Sequence, residues 1–230
     1  MKRLCGVLVA LFCVATAAQA ADVPGLIKQL KDSDPDLRRQ AAKALGEAGK
    51  EAAPAVPALL QALKDKDLFV RRFAALALGD IGADPKTVVP ALSAVINDNR
   101  EKKDVQDAAV TALGKLGATS VGPLTATAKD PTKNPQVRRK AVEALGLLGA
   151  DAKSALPTLL EILNPKGKRG NNVQDVDVRI EAANALGTLA TKDDKAVVEA
   201  LGAIVNDKKF PNRNIKQAAA AALKKIKGKK

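Results

Sequence analysis

The chain has 230 residues, a formal net charge of +13, and no His, Trp or Tyr. Without His there is no Ser-His or Cys-His nucleophile pair and no side chain that titrates by nature near neutral pH. Both cysteines, Cys5 and Cys13, fall at the start, so the rest offers no disulfide and no zinc site of the usual kind.

Residues 1–20 read as a secretory signal peptide. Lys2 and Arg3 precede an apolar run from Leu4 to about Val14, and Ala18-Gln19-Ala20 supplies a small-residue cleavage site. The run is shorter than the roughly 20 residues a membrane span needs. Cys13 follows Ala10-Leu11-Phe12, without the small residue expected just before a lipidated cysteine. The expectation is a protein exported to the bacterial periplasm or beyond, with residues 21–230 as a single domain and no transmembrane segment after cleavage. Any catalysis in that domain would rest on perturbed Asp, Glu or Lys. A glycosidase-like carboxylate pair is formally open, but aromatic sugar platforms are missing, and the reading is a non-enzyme with no cofactor.

From residue 37 the chain repeats itself. Leu37 to Gly49, LRRQAAKALGEAG, returns from Val70 to Gly82, Val105 to Gly117, Val137 to Gly149 and Val178 to Ala190, and more loosely from Ile215 to Lys227. Self-similarity at this period marks a solenoid. In the first copy Leu37, Ala41, Ala44, Leu45 and Ala48 form one apolar helical stripe. Gly46 and Gly49 mark close packing and termination. Asp34, Asp67, Asn134, Asp175 and Asn212 stand three residues before the leading aliphatic, where a short polar side chain caps a helix; the third copy has Lys102 there. A shorter helix precedes each copy, its start indexed by Pro24, Pro57, Pro90, Pro123 and Pro157. The sixth copy has Glu199 in place of the proline. No strand pattern occurs.

This pattern, D-x-x-L-R-R-x-A-A-x-A-L-G-x-x-G from Asp34 to Gly49 and recurring through residues 22–227, resembles the HEAT repeat family, in particular the short variant of phycobilisome lyases. The resemblance implies an all-α, right-handed α-solenoid of about six two-helix repeats whose second helices line the concave face. It also implies a ladder of hydrogen bonds between neighbours that pairs Asp34 with Arg38, Asp67 with Arg71, and Asp175 with Arg179. Those arginines are read as structural first. The sixth copy keeps only Lys216 and has Lys224 and Lys227 in place of glycines, as a terminal cap would.

Three features could bind a partner. Phe69, Phe73 and Leu76, at i, i+4 and i+7, replace the polar stripe of the first copy with one apolar face; Leu147 is the other apolar residue at such a position. The alternative is that the two rings fill a gap between repeats. The C-terminal end is strongly basic, with Lys208, Lys209, Arg213, Lys216, Lys224, Lys225, Lys227, Lys229 and Lys230 against Asp207. A solubilising cap and a surface for an anionic partner both fit it. The turn from Asn164 to Asp175 is longer than its counterparts and carries Lys166, Lys168 and Arg169, on the same expected edge as Lys129, Lys133, Lys208 and Lys209.

The leading expectation is an exported, non-catalytic scaffold that binds another protein on its concave face or basic edge. The alternatives are attraction of an acidic protein, a polyanion or an anionic surface to the basic end, and a lyase-like or other enzyme. Export and the lack of Trp and Tyr stacking platforms disfavour nucleic acid.

Overall fold

A computed structural model describes residues 22–165 and 175–228, which hold twelve α-helices and no strand. The helices are α1 (Val23–Gln29), α2 (Pro35–Glu47), α3 (Val56–Ala62), α4 (Leu68–Ile81), α5 (Pro85–Asn97) and α6 (Lys103–Lys115). They continue as α7 (Val121–Lys129), α8 (Pro135–Leu147), α9 (Leu156–Leu163), α10 (Val176–Leu189), α11 (Lys195–Asn206) and α12 (Arg213–Gly228). The segment expected to be a signal peptide, and Lys166, Lys168, Arg169, Lys229 and Lys230, lie outside the described residues.

Each odd-numbered helix packs on the even-numbered helix that follows it, and each even-numbered helix packs on the next along the whole chain. The odd-numbered helices touch one another only weakly. The even-numbered helices are thus the closely stacked row, the one that the HEAT resemblance makes the concave, inward face. The stripe anticipated from the repeat is the core: Ala41, Leu45, Ala74, Leu78, Ala109, Leu113, Ala141, Leu145, Ala182 and Leu186 are all fully buried. One continuous apolar cluster runs from Val23 to Ile226, since a single helix pair has no partner for its apolar face until a neighbour covers it.

Local signals place most helix starts. The Asp34 carboxylate accepts from the Asp36 N–H at 2.9 Å, Asp67 from the Phe69 and Val70 N–H groups at 3.0 Å, and Asn134 from Gln136 at 2.9 Å. Asn212 accepts from Ile215 at 3.0 Å. Lys102 makes no cap. Two expectations need correction. Asp175 does not cap α10, because its carboxylate is held by Arg138 of the preceding repeat. Pro90 does not open α5: Asp84 and Pro85 start that helix a turn earlier, and it runs through Pro90 without the amide bond proline cannot donate.

The ladder is present with different partners. Arg38 does not pair with Asp34. Its Nη1 donates to the Asp32 and Ser33 carbonyls at 2.9 and 3.0 Å, and its Nε and Nη2 grip Asp65 of the next repeat at 2.7 and 2.8 Å. Arg71 likewise leaves Asp67 and grips Glu101 at 2.7 and 2.8 Å, while donating to the Asp65 carbonyl at 2.7 Å. Arg179 Nε donates to the Leu163 carbonyl at 2.9 Å, and Gln106 and Lys216 reach the carbonyls of Asp98 and Asp207 from the same column. The physical reason is shared: these side chains satisfy carbonyls left open at the end of the shorter helix or in the turn after it. On Arg38, Arg71 and Arg138 the remaining donors then meet Asp65, Glu101 and Asp175 of the next repeat. Arg39 adds a second rung, gripping Asp67 at 2.8 and 2.5 Å.

These rungs make acid stability predictable. Burial pushes the Asp65 carboxyl up, but donation from Arg38 and from the Asp67 N–H outweighs it and holds the group below its usual range. Hydrogen bonds from Arg39, against burial and with help from the Val70 and Phe69 amides, hold Asp67 well below that range. A carboxyl depressed in the folded state stabilises the fold above its unfolded pKa, and the contribution is lost as pH falls toward the folded value. The melting temperature is therefore expected to drop as pH falls below about 4, the unfolded aspartate range. Asp65→Asn with Asp67→Asn should lower the neutral-pH melting temperature and flatten that acid limb, which scanning calorimetry across pH would measure.

Candidate functional site on the inward face

On α4 the i, i+4, i+7 spacing does bring Phe69, Phe73 and Leu76 to the inward row, but their burial differs. Phe69 is 41% exposed, and the Arg39 guanidinium lies 5.0 Å above its ring. Arg39 is pinned there by Asp67 and by Asp36, the latter at 2.7 Å. Phe73 and Leu76 are half-buried and pack against the core. They form one wall of an open groove of about 490 Å³ between α2 and α4. Small residues, Ala42, Gly46 and Ala77, line it with them, while Lys43, Glu47 and Asp80 stand at its sides. The two rings therefore differ: Phe73 fills space between repeats and Phe69 faces solvent. Further along the row, Leu147 at the end of α8 is 80% exposed.

A second depression of about 260 Å³ adjoins the first across Leu76. Arg72, Asp104, Asp107, Ala108, Thr111 and Lys140 complete its lining, so it draws on α4, α6 and α8. Sequence reasoning passed over it, although the column that contains Gln40, Phe73 and Lys140 has only Ala108 on α6, and the missing side chain is the hollow. Beyond it, burial first and the neighbouring Glu143 carboxylate second raise the Glu181 carboxyl above its usual range, opposed by Asn184 and Arg139.

At the C-terminal end Lys208, Lys209, Arg213, Lys224, Lys225 and Lys227 are exposed. Lys225 Nζ donates to Thr188 Oγ1 at 2.9 Å, and Lys216 Nζ to the Asp207 carbonyl at 2.7 Å. The expected basic edge is thinner than its sequence suggested. Lys133 is only 9% exposed and reaches Asn99 of the neighbouring repeat at 3.3 Å, because its turn packs against that repeat. Lys129 is paired with Glu161 at 2.7 Å.

A column of donors, all but Gln106 cationic, closing the short helices, a glycine at each close approach and a tandem of helix pairs are one design, and the family described as HEAT repeats matches residues 23–103 and again 90–169. The chain belongs to the HEAT repeat family. Nothing among curated protein sequences matches it. Among solved structures, the complex of CpcE and CpcF of phycocyanin lyase from a Nostoc species is similar at 27% identity and a TM-score of 0.55, over 93% of this chain and 80% of that one. An engineered protein matches at 21% identity and a TM-score of 0.55, over 91% of this chain and 100% of its own. A structure of Kap95p with RanGDP matches at 16% identity and a TM-score of 0.54, over 96% of this HEAT chain and 31% of that one. The last two likenesses concern the fold alone.

No helix among the described residues is long and apolar enough to cross a membrane, and no group of three or more Cys, Asp or Glu that could hold a metal occurs among them.

Proposed function

We propose that this protein is an exported, non-catalytic HEAT scaffold that binds a protein partner on the inward face of its even-numbered helices. The observation that carries the reading is Leu147, a large apolar side chain 80% exposed on the same row as the exposed Phe69 ring. An apolar side chain so placed gives the fold little and gives a partner a desolvated anchor. The relative built from CpcE and CpcF is itself a complex of HEAT-like chains, which is consistent with a surface that engages protein. Export rests on Lys2, Arg3, the apolar run and Ala18-Gln19-Ala20. Fractionation with N-terminal sequencing tests it: a mature chain starting at Ala21 outside the cytoplasm is expected, and a cytoplasmic chain that retains Met1 would end the export reading.

Leu147→Asp and Phe69→Asp together are expected to lower the melting temperature by only a few degrees, the scale of losing the Arg39 contact with the Phe69 ring. They should weaken a captured partner about thirtyfold or more, the scale of a hot-spot loss. Calorimetry of both forms and affinity measurement against that partner check the pair of outcomes, and full retention of binding would refute the inward-face site.

Two other readings have support of their own. The exposed lysines of α12 favour attraction to an anionic surface, and binding that collapses with added salt would show it. The 27% identity to a phycocyanin lyase complex favours a lyase-like role, and stoichiometric bilin capture by the purified chain would show that.

A further inference from the structure

The two ends of the stack are opposite in charge and alike in what they leave uncovered. Leu37 on α2 is half-buried where its counterparts Val70, Val105 and Val137 are fully buried. Leu223 on α12 is half-buried where Leu45, Leu78 and Leu113 are fully buried. Each stands where the next helix pair of the stack would close over it.

The ladder between repeats also stops half-made at both ends. Inside the chain an arginine of one repeat grips an acid of the next: Arg38 takes Asp65, Arg39 takes Asp67, Arg71 takes Glu101 and Arg138 takes Asp175. In the first repeat Asp32 and Asp34 hold the places of Asp65 and Asp67, and no earlier repeat offers them a cation. They are already set to receive one. Asp32 accepts from the Asp34 N–H at 2.9 Å, as Asp65 does from the Asp67 N–H at 2.8 Å. Asp34 accepts from the Asp36 N–H at 2.9 Å, as Asp67 does from the Phe69 N–H at 3.0 Å. At the other end Lys216 holds the place of Arg38. Its Nζ donates to the Asp207 carbonyl at 2.7 Å, as Arg38 does to the Asp32 carbonyl at 2.9 Å, and no later repeat offers it an acid.

The charge count runs the same way. Residues 22–36 hold four aspartates and two lysines, whereas residues 206–228 hold seven cations and one acid. Two copies meeting at like ends would set like charges together, and unlike ends attract.

We infer that the protein associates with a second copy of itself head to tail, the α11–α12 end of one seated on the α1–α2 end of the other. Lys216 faces Asp32 of the second copy, and Leu223 and Leu37 close the apolar edge between them. Lys227 stands in the column of Gly49, which approaches the Asp80 carbonyl of the next repeat; across the junction it meets Glu47, the counterpart of Asp80. Lys224 stands in the glycine column, so Ala44 of the second copy stays farther off than Ala112 is from Gly79. The junction is therefore looser than those within the chain, reversible and sensitive to salt. A contact between unlike ends leaves one of each free, so copies add into open chains. The inference goes beyond the inward-face reading and uses other surfaces.

The test is sedimentation velocity of the chain as isolated from its own cells, over a range of concentrations. The weight-average mass is expected to rise with concentration at about 0.1 M salt and to fall back toward one chain at about 1 M. Asp32→Asn with Asp34→Asn removes the acidic charge and keeps acceptors at the start of α2. Lys224→Glu with Lys227→Glu reverses charge at exposed positions of the other end. Each pair should weaken self-association about tenfold. Mixed together, the two variants should form one-to-one pairs that do not grow into chains, because each keeps the end the other has lost. That recovery also shows that both have folded. The inference is overturned if the mass stays at one chain at every concentration, if both variants associate as the unaltered chain does, or if mixing restores nothing. It is overturned too if only the lysine pair matters, which would give the basic end to a different anionic occupant.

Discussion

Leu78→Asp is expected to abolish the cooperative melting transition or lower it far below that of the unaltered chain. Leu78 is fully buried at the centre of α4, which packs on α2, α3 and α6. Removing a buried leucine alone costs about 2–5 kcal/mol. An aspartate in its place also sets a charge among apolar neighbours with no cation in reach, a further cost of several kcal/mol. The sum approaches the whole stability of a domain, about 5–15 kcal/mol. Leu78→Ala should show the smaller cost alone, with the transition lower but still cooperative. Deleting the third helix pair whole, residues 83–117, is expected to do less damage than the single aspartate. That deletion brings Gly79 opposite Ala144 where it had faced Ala112, so like meets like across the new junction. A thermal melt of Leu78→Asp that overlays the unaltered chain would show that the apolar stripe had been misplaced.

The stripe could be read from sequence because it depends on one helix at a time. The spacing of Ala41, Leu45 and Ala48 says which side of α2 must be covered, whatever covers it. Caps such as Asp34 and Asp67 are equally local, since acceptor and donor lie within three residues of each other. The partners of Arg38 and Arg71 were not legible for the opposite reason. Asp34 is four residues from Arg38 along the helix, a spacing that suits a pair, while Asp65 is 27 residues away and comes within 2.7 Å only when the second repeat stacks on the first. Exposure followed the same rule. Spacing put Phe69, Phe73 and Leu76 on one face, but the small Ala42 and Gly46 of the neighbouring helix decide that Phe73 sinks and Phe69 does not. The hollow at Arg72, Asp107 and Lys140 draws on three helices, so only a comparison across repeats, down the column containing Ala108, could have suggested it.

Gly79→Leu is the second change expected to be severe, and its neighbours in the repeat give it an internal control. A Cβ at Gly79 would stand 2.7 Å from the Cα and 2.9 Å from the Cβ of Ala112, and at Gly187 it would stand 2.8 Å from the Cα of Ala222. Backbone cannot be trimmed, so α4 and α6 would have to move apart along their length. Alanine at Gly79 is expected to cost about 1–3 kcal/mol from overpacking, and leucine more. At Gly114 the near neighbour is the Ala144 methyl at 3.1 Å, with its Cα at 3.8 Å. There the gain of about 1 kcal/mol from replacing a helical glycine with alanine offsets much of the crowding. Ala144→Gly should therefore rescue Gly114→Ala, whereas Ala112→Gly should rescue Gly79→Ala only in part. Denaturant midpoints of the four variants would check this, and equal costs at Gly79 and Gly114 would contradict the close-approach geometry. The sixth repeat departs from the column: Lys224 stands where Gly79 and Gly187 make their close approaches, and it is exposed.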